Sequence, residues 1–288
     1  MVCLSDLSES TLEQFWDLES IGVQSAQNLD SGDEILKNFN ESIKFEDGKY
    51  HVQLPWKENA SELNLLDNRM MAETRLKNLM RKLAKDPPLK AGYNQAFLDM
   101  DSMGIIEEVP ESELVTPHSV FYLPHHPVMK ESSLTTRVRP VFDASAEGIN
   151  GISLNNCLKP GPCLLGNLVG ILIRFQRWKV GISKAFLQVG VLGKDQDLHR
   201  FLWNYGGSVR VMRFRRVPFG NTCSSFLLIA TIKYHLSQYP ESKAVEELRE
   251  NTYVDDFISG ADFSTSSQSS EVKAHVVDNS DVSTLLKE

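Results

Sequence analysis

Apolar positions recur at helical spacing over residues 64–85, where Leu66, Ala72, Leu76, Leu79, Met80 and Leu83 share one face. Pro87 and Pro88 end that helix, and a second runs over residues 93–103 with Phe97 and Met100 inward and Gly104 as its stop. Period-two alternation predicts a hairpin over residues 44–54, turning at Asp47-Gly48 ahead of Pro55 and Trp56. Short strands are expected at residues 105–109 and 119–123, and a longer one over 136–145. Ser153-Leu154-Asn155 closes a polar loop, and residues 164–175 read as a buried helix through Leu168, Ile171 and Leu172. Residues 179–191 read largely as strand, and 199–203 pairs with 209–215 across 204–207. A loop from Val217 to Asn221 enters a helix over 222–237, rich in buried Phe226, Leu227 and Ile229. Near the N-terminus Ser10 or Thr11 caps a short helix through Phe15, Trp16 and Leu18. Finally, Asn251 to Gly260 reads as strand, tight turn and strand, with Asp255 and Asp256 adjacent at the turn.

Composition changes this picture little. The chain of 288 residues is long enough for one large domain or two ordinary ones, and 41% hydrophobic with 24% charged residues is a globular balance. No apolar run approaches a membrane span, and no basic segment leads into an apolar one at the N-terminus, so no membrane partner is expected. Cys3, Cys157, Cys163 and Cys223 lack paired metal spacing, which favours a reduced, intracellular compartment, cytoplasmic or nuclear. Charge is more telling. The net charge is -8, yet residues 129–216 hold 14 Lys and Arg against 5 Asp and Glu, leaving -17 for the remainder. A polyanion would be drawn to that middle segment alone, unless residues such as Arg213, Arg215 and Arg216 only form the solvated face of a strand.

Chemistry concentrates at the acid pair. Two neighbouring carboxylates repel each other at a turn, and a divalent cation bound by both removes the repulsion, although a solvated turn would show the same residues. In the basic strand, alternation puts Arg137 and Arg139 on one face, suited to a triphosphate or a backbone phosphate, or simply exposed. Asp30-Ser31-Gly32 matches the short signature of an aspartic protease, but Gln27, Asn28, Asp33 and Glu34 around it give no apolar frame, so a helix-capping linker fits better. His118, His125 and His126 lack metal-ligand spacing and read as surface or turn residues.

The order of these motifs resembles a reverse transcriptase. It runs through Arg139-Pro140-Val141-Phe142-Asp143, Lys184-Ala185-Phe186-Leu187, the Pro218-Phe219-Gly220 loop and Tyr253-Val254-Asp255-Asp256. Phe15-Trp16-Asp17-Leu18-Glu19, the run from Gly48 to Trp56, and Val141-Phe142-Asp143-Ala144-Ser145 look like the Pol polyprotein of BEL/Pao retrotransposons. The resemblance implies an α+β fold of fingers and palm, with an antiparallel palm sheet and packed helices. It divides the chain into an N-terminal helix and hairpin segment over 1–62, a fingers and palm domain over 63–262, and a polar tail over 263–288. It further implies RNA-directed DNA polymerase activity on an RNA or DNA primer-template with a dNTP, using two magnesium ions (Mg2+). Asp255 and Asp256 match the catalytic, metal-binding acid pair, and Tyr253 the aromatic before it. Phe186 matches the residue under the incoming sugar, Arg139 a triphosphate contact, and Phe219 with Gly220 the loop against nucleotide and template.

One position departs from the pattern. The third metal-binding Asp belongs five residues before Phe186, where Gly181 stands. Asp195 and Asp197 are the next acids along the chain, beyond a turn, and Ser183 offers a hard cation only a weak neutral oxygen. Loss of that carboxylate should cost on the order of 4 kcal/mol or more of transition-state stabilisation, roughly a thousandfold in rate. The expected molecule is therefore a poor polymerase or a silent polymerase-like module that still binds nucleic acid. The polar tail after Asp262, with no thumb, ribonuclease H or integrase region, reads as that of a truncated element.

Overall fold

The computed structural model describes residues 29–58, 60, 64–129, 138–166, 178–254 and 256–259. Helix α1 (Leu29–Ser42) comes first, then the hairpin β1 (Lys44–Glu46) and β2 (Lys49–Val52). The hairpin forms where expected, because Asp47 and Gly48 both take positive φ, at 51° and 71°, as a tight two-residue turn requires. Asp30-Ser31-Gly32 lies in the first turn of α1, so it is helix rather than linker. Next come α2 (Arg69–Leu83), which buries Ala72, Leu76, Leu79 and Leu83, and α3 (Pro87–Ser102). Pro87 and Pro88 do not merely stop α2. They open α3 six residues earlier than the periodicity suggests, since proline suits the first helical positions and the Asp86 carboxylate accepts the Leu89 N–H. Gly104, at φ 63°, ends the turn after α3 as expected.

Beyond it lie β3 (Ile106–Glu108), β4 (His125–Met129), β5 (Val138–Phe142), the short α4 (Leu154–Cys157), β6 (Trp178–Gly181), β7 (Gly190–Val191), β8 (Arg200–Tyr205) and β9 (Ser208–Phe214). The chain continues through α5 (Ser224–Ser237), α6 (Lys243–Asn251), β10 (Thr252–Tyr253) and β11 (Asp256–Ser259). Four small sheets result, ordered β1-β2-β7, β3-β9-β8, β4-β5 and β10-β11-β6. All the pairings are antiparallel except β2 with β7, and the architecture is α+β. A single large core draws on α1, the first hairpin, α3, β8, β9 and α5, through residues such as Phe39, Val52, Phe97, Phe201, Phe214 and Leu227.

Several expectations are corrected. Residues 153–155 are not a loop: Ser153 caps α4, and its hydroxyl accepts the Asn156 N–H while Asn156 Oδ1 accepts the Ser153 N–H at 2.8 Å. The strand expected over 179–191 breaks after Gly181, because Lys184 turns into the left-handed region at φ 52° and Ala185–Gln188 form a 3₁₀ turn. Of residues 119–123 only Tyr122 makes a bridge, to Arg200. His125 is a core residue. Its ring sits among Tyr93, Phe97, Phe142 and Phe201, hydrogen-bonded to the Tyr93 hydroxyl at 2.6 Å and the Leu202 carbonyl at 2.7 Å. The expected helices over 10–22 and 164–175 fall wholly or mainly outside the described residues, as do Arg137 and the tail over 263–288.

Candidate functional site

Strand β11 lies between β10 and β6, and the register is specific: Asp256 pairs with Tyr253 on one side and with Gly181 on the other. Directly opposed residues in a sheet project to the same face with Cβ atoms about 5 Å apart. A side chain at position 181 would therefore stand beside that of Asp256, which is half-buried. Between the two short strands Val254 is held at φ 55°. For a β-branched residue this backbone is strained, and such strain concentrates where a tight turn must present particular groups. Asp255 lies outside the described residues.

From Gly181 the chain passes through Ile182 and Lys184 to Phe186, which is 6% exposed. Its ring packs on that of Phe219, with centroids 4.5 Å apart. Phe219 itself remains 54% exposed, so one ring is fixed and the other open to a flat ligand. The loop carrying Phe219 is locked from behind. Gly220 has φ 104°, and a Cβ there would sit 2.8 Å from the Phe142 carbonyl oxygen. Asn155 donates to the Gly220 carbonyl at 2.9 Å and accepts the Thr222 N–H at 2.9 Å, while Ser224 Oγ donates to the Pro218 carbonyl at 2.7 Å. Asn155 was not singled out by the sequence, since nothing local distinguishes it from a capping residue of α4. Ile182 and Val254 pack on the same core that contains Phe186. Arg139 is exposed on β5, opposite Val128. Phe186, Phe219 and Gly220 thus come together, as do Gly181 and Asp256.

The acids that could have replaced a carboxylate at 181 are committed elsewhere. Asp195 accepts the Leu54 N–H at 2.9 Å and the Trp56 indole N–H at 3.4 Å, and burial pushes its carboxyl above the usual range. Asp197 takes His118 at 2.6 Å, Arg200 at 2.8 Å and Arg213 at 3.2 Å. Burial alone would raise the Asp197 carboxyl, but hydrogen bonds from His118 and Arg200, with the Arg200 charge, hold it below the usual range. His118 is accordingly a hydrogen-bond partner of Asp197 rather than a free surface histidine. The described part of the magnesium set is short of donors: Asp256 offers a carboxylate, Gly181 no side-chain oxygen, and among the described residues no group of three His, Cys, Asp or Glu could hold a metal. The described residues therefore do not fit a two-magnesium centre.

No protein-family model matches this chain, and no curated protein matches it. Among the solved structures it matches are foamy virus protease-reverse transcriptases. The foamy viral protease-reverse transcriptase in complex with double-stranded DNA is 20% identical, over 69% of this chain and 28% of that one, with a TM-score of 0.45. The native prototype foamy virus protease-reverse transcriptase is 20% identical over 62% and 20% of the two chains, with a TM-score of 0.42. The foamy viral enzyme with an RNA/DNA hybrid gives 20% identity, 67% and 21% coverage, and a TM-score of 0.43. This chain spans between a fifth and a third of the length of those proteins.

Among its described residues, the basic middle segment is less positive at its surface than its composition implies. Arg200 is wholly buried and bound to Asp197, and Arg213 is ion-paired with Glu107, Glu113 and Asp197. Arg213 is therefore no part of a solvated strand face, and Arg216 is buried as well. The exposed Arg210 and Arg215 face Glu108 and Glu107 at 3.3 and 3.5 Å. No helix among the described residues is long and apolar enough to cross a membrane.

Proposed function

We propose that residues 63–262 are the fingers and palm of a BEL/Pao-type reverse transcriptase, with the hairpin segment before and the polar tail after, and that this copy is impaired in catalysis. The reading rests on the ordered motifs and, in the structure, on one observation: Gly181 is the direct cross-strand partner of Asp256. The position that the resemblance assigns to the third carboxylate lies opposite Asp256, and its side chain carries no ligand atom. Of the three carboxylates that the resemblance assigns to magnesium, those of Asp255 and Asp256 remain. Phe186, buried under the open face of Phe219, fits a platform for the sugar and base of a dNTP, and Arg139 stays exposed to meet phosphate.

The same glycine favours a silent module that holds an RNA or DNA primer-template over an active polymerase. Primer extension with magnesium or manganese, comparing the unmodified chain with Gly181→Asp, tests the chemistry. The expected outcome is about a thousandfold higher rate in the variant. Extension by the unmodified chain at a rate near that of the variant would overturn the impairment. A salt titration against a primer-template tests binding, with affinity expected to fall steeply as salt rises; no binding at low salt would remove the nucleic-acid partner.

A further inference from the structure

Gly190 sits in the middle of a three-strand row. It pairs with His51 of β2 in parallel register and bridges Arg216, just beyond β9, in antiparallel register. Cross-strand partners project to one face, so the imidazole and the guanidinium flank a residue that has no side chain. A Cβ at Gly190 would run into the His51 ring, which shows that the ring leans over the glycine on that face. Arg216 is 8% exposed, its Nη1 makes no hydrogen bond, and among the described residues no carboxylate forms an ion pair with it. This sets it apart from its neighbours. Arg200 and Arg213 are each bound by acids, and Arg215 reaches Glu107. A buried guanidinium without a counter-charge is costly and calls for an anion.

We propose that the His51–Gly190–Arg216 row binds an oxyanion of the phosphate class, either free phosphate or a nucleic-acid phosphodiester. The Arg216 guanidinium donates to it through the edge that remains 8% exposed, and the bare glycine lets the imidazole lie alongside as a second donor. The local charge agrees. Burial and then Arg215 lower the Arg216 pKa, and burial and then Arg216 lower that of His51, against a smaller upward pull from Glu46. Arg215 lowers His51 further, while Asp47 raises it. The site is separate from the acid pair and does not depend on the polymerase reading.

The test follows the His51 ring resonances by NMR while the full chain is titrated with inorganic phosphate, with a short single-stranded DNA, and with sodium chloride as an ionic-strength control. Phosphate or the DNA should shift the His51 signals saturably and raise the ring's titration midpoint, while chloride should not. Saturation by the DNA alone assigns the phosphodiester, and by phosphate alone the free ion; both uphold the site. Arg216→Met should weaken binding about tenfold or more, the scale of one charge-assisted donor. Gly190→Ala, which displaces the ring but keeps the guanidinium, should weaken it similarly and carries the test if Arg216→Met does not fold. No saturable shift with either probe, an equal shift in chloride, or unchanged binding in the variants would overturn the proposal.

Discussion

Arg200 shows how much of this molecule's charge is spent inside it. With no exposed surface, it takes Asp197 through two of its nitrogens and the Leu114 carbonyl through a third contact, while Arg213 approaches the same carboxylate at 3.2 Å. Removing the acid would strand Arg200 in the interior, while Arg213 keeps Glu107 and Glu113. Asp197→Ala should therefore destabilise the fold by about 3–5 kcal/mol, the range for breaking a buried pair from one side, read as a fall in the urea midpoint. Two histidines set the pH response. Burial lowers His125 to about 4 and His199 to about 3, so both stay neutral in the folded chain at pH values where the unfolded chain already protonates them. Their stabilisation is complete above the unfolded pKa near 6.5 and is lost as pH falls through 6.5 toward 4 and then 3. His125 alone accounts for on the order of 3 kcal/mol across that window. Urea midpoints measured from pH 7 to 4.5 should fall steadily, and His125→Gln should flatten the slope; a level profile in the unmodified chain would contradict the assignment.

At the scale of elements, the loop behind Phe219 depends on one backbone conformation. Gly220→Ala would force a side chain into φ 104° and against the Phe142 carbonyl, and should cost about 1–3 kcal/mol by chemical denaturation. Asn155→Ala removes two of the bonds that fix the same loop and should produce a loss of similar size. What the sequence made legible here was local. The Asp47-Gly48 turn, the stop at Gly104, the Gly206-Gly207 turn of the β8–β9 hairpin and the helix after Asn221 were all readable, because each is written in neighbouring residues. The pairing of β11 with β6 was legible only in part. The motifs predicted that Gly181 belonged with the acid pair, but the register opposing it to Asp256 is a long-range fact. The unread parts were long-range too. Arg213 looked like a solvated strand residue because its acids, Glu107 and Glu113, lie about a hundred positions away, and His125 looked exposed because its aromatic cage comes from three other elements besides its own strand. Pro87 and Pro88 were read as breakers when their fixed φ made them starters of α3.

Over the whole molecule, the question is what the hairpin segment before residue 63 contributes to the rest. Phe39, Ile43, Tyr50, Val52 and Leu54 are all buried in the core that also holds Phe97, Phe201 and Leu227. Phe39 packs edge-on against Phe226 of α5, Tyr50 shares a hydrogen bond of 3.0 Å with His235, and β2 pairs with β7. Among the described residues the buried Asp195 carboxylate is hydrogen-bonded by Leu54 and Trp56, so their loss would leave it unsatisfied in the interior. Burial of such side chains is worth about 1.5–3 kcal/mol each, so five of them amount to on the order of 10 kcal/mol, which is comparable with the entire stability of an ordinary domain. A chain starting at residue 63 should accordingly show no cooperative thermal transition by circular dichroism, whereas the full chain should unfold in one. Adding a peptide of residues 29–58 in excess should restore part of the ordered signal, since β2 can re-pair with β7 and return the Leu54 N–H to Asp195. A truncated chain that melts as sharply and at the same temperature as the full one would show that the unit from residue 63 onward stands alone, with the hairpin merely resting on it.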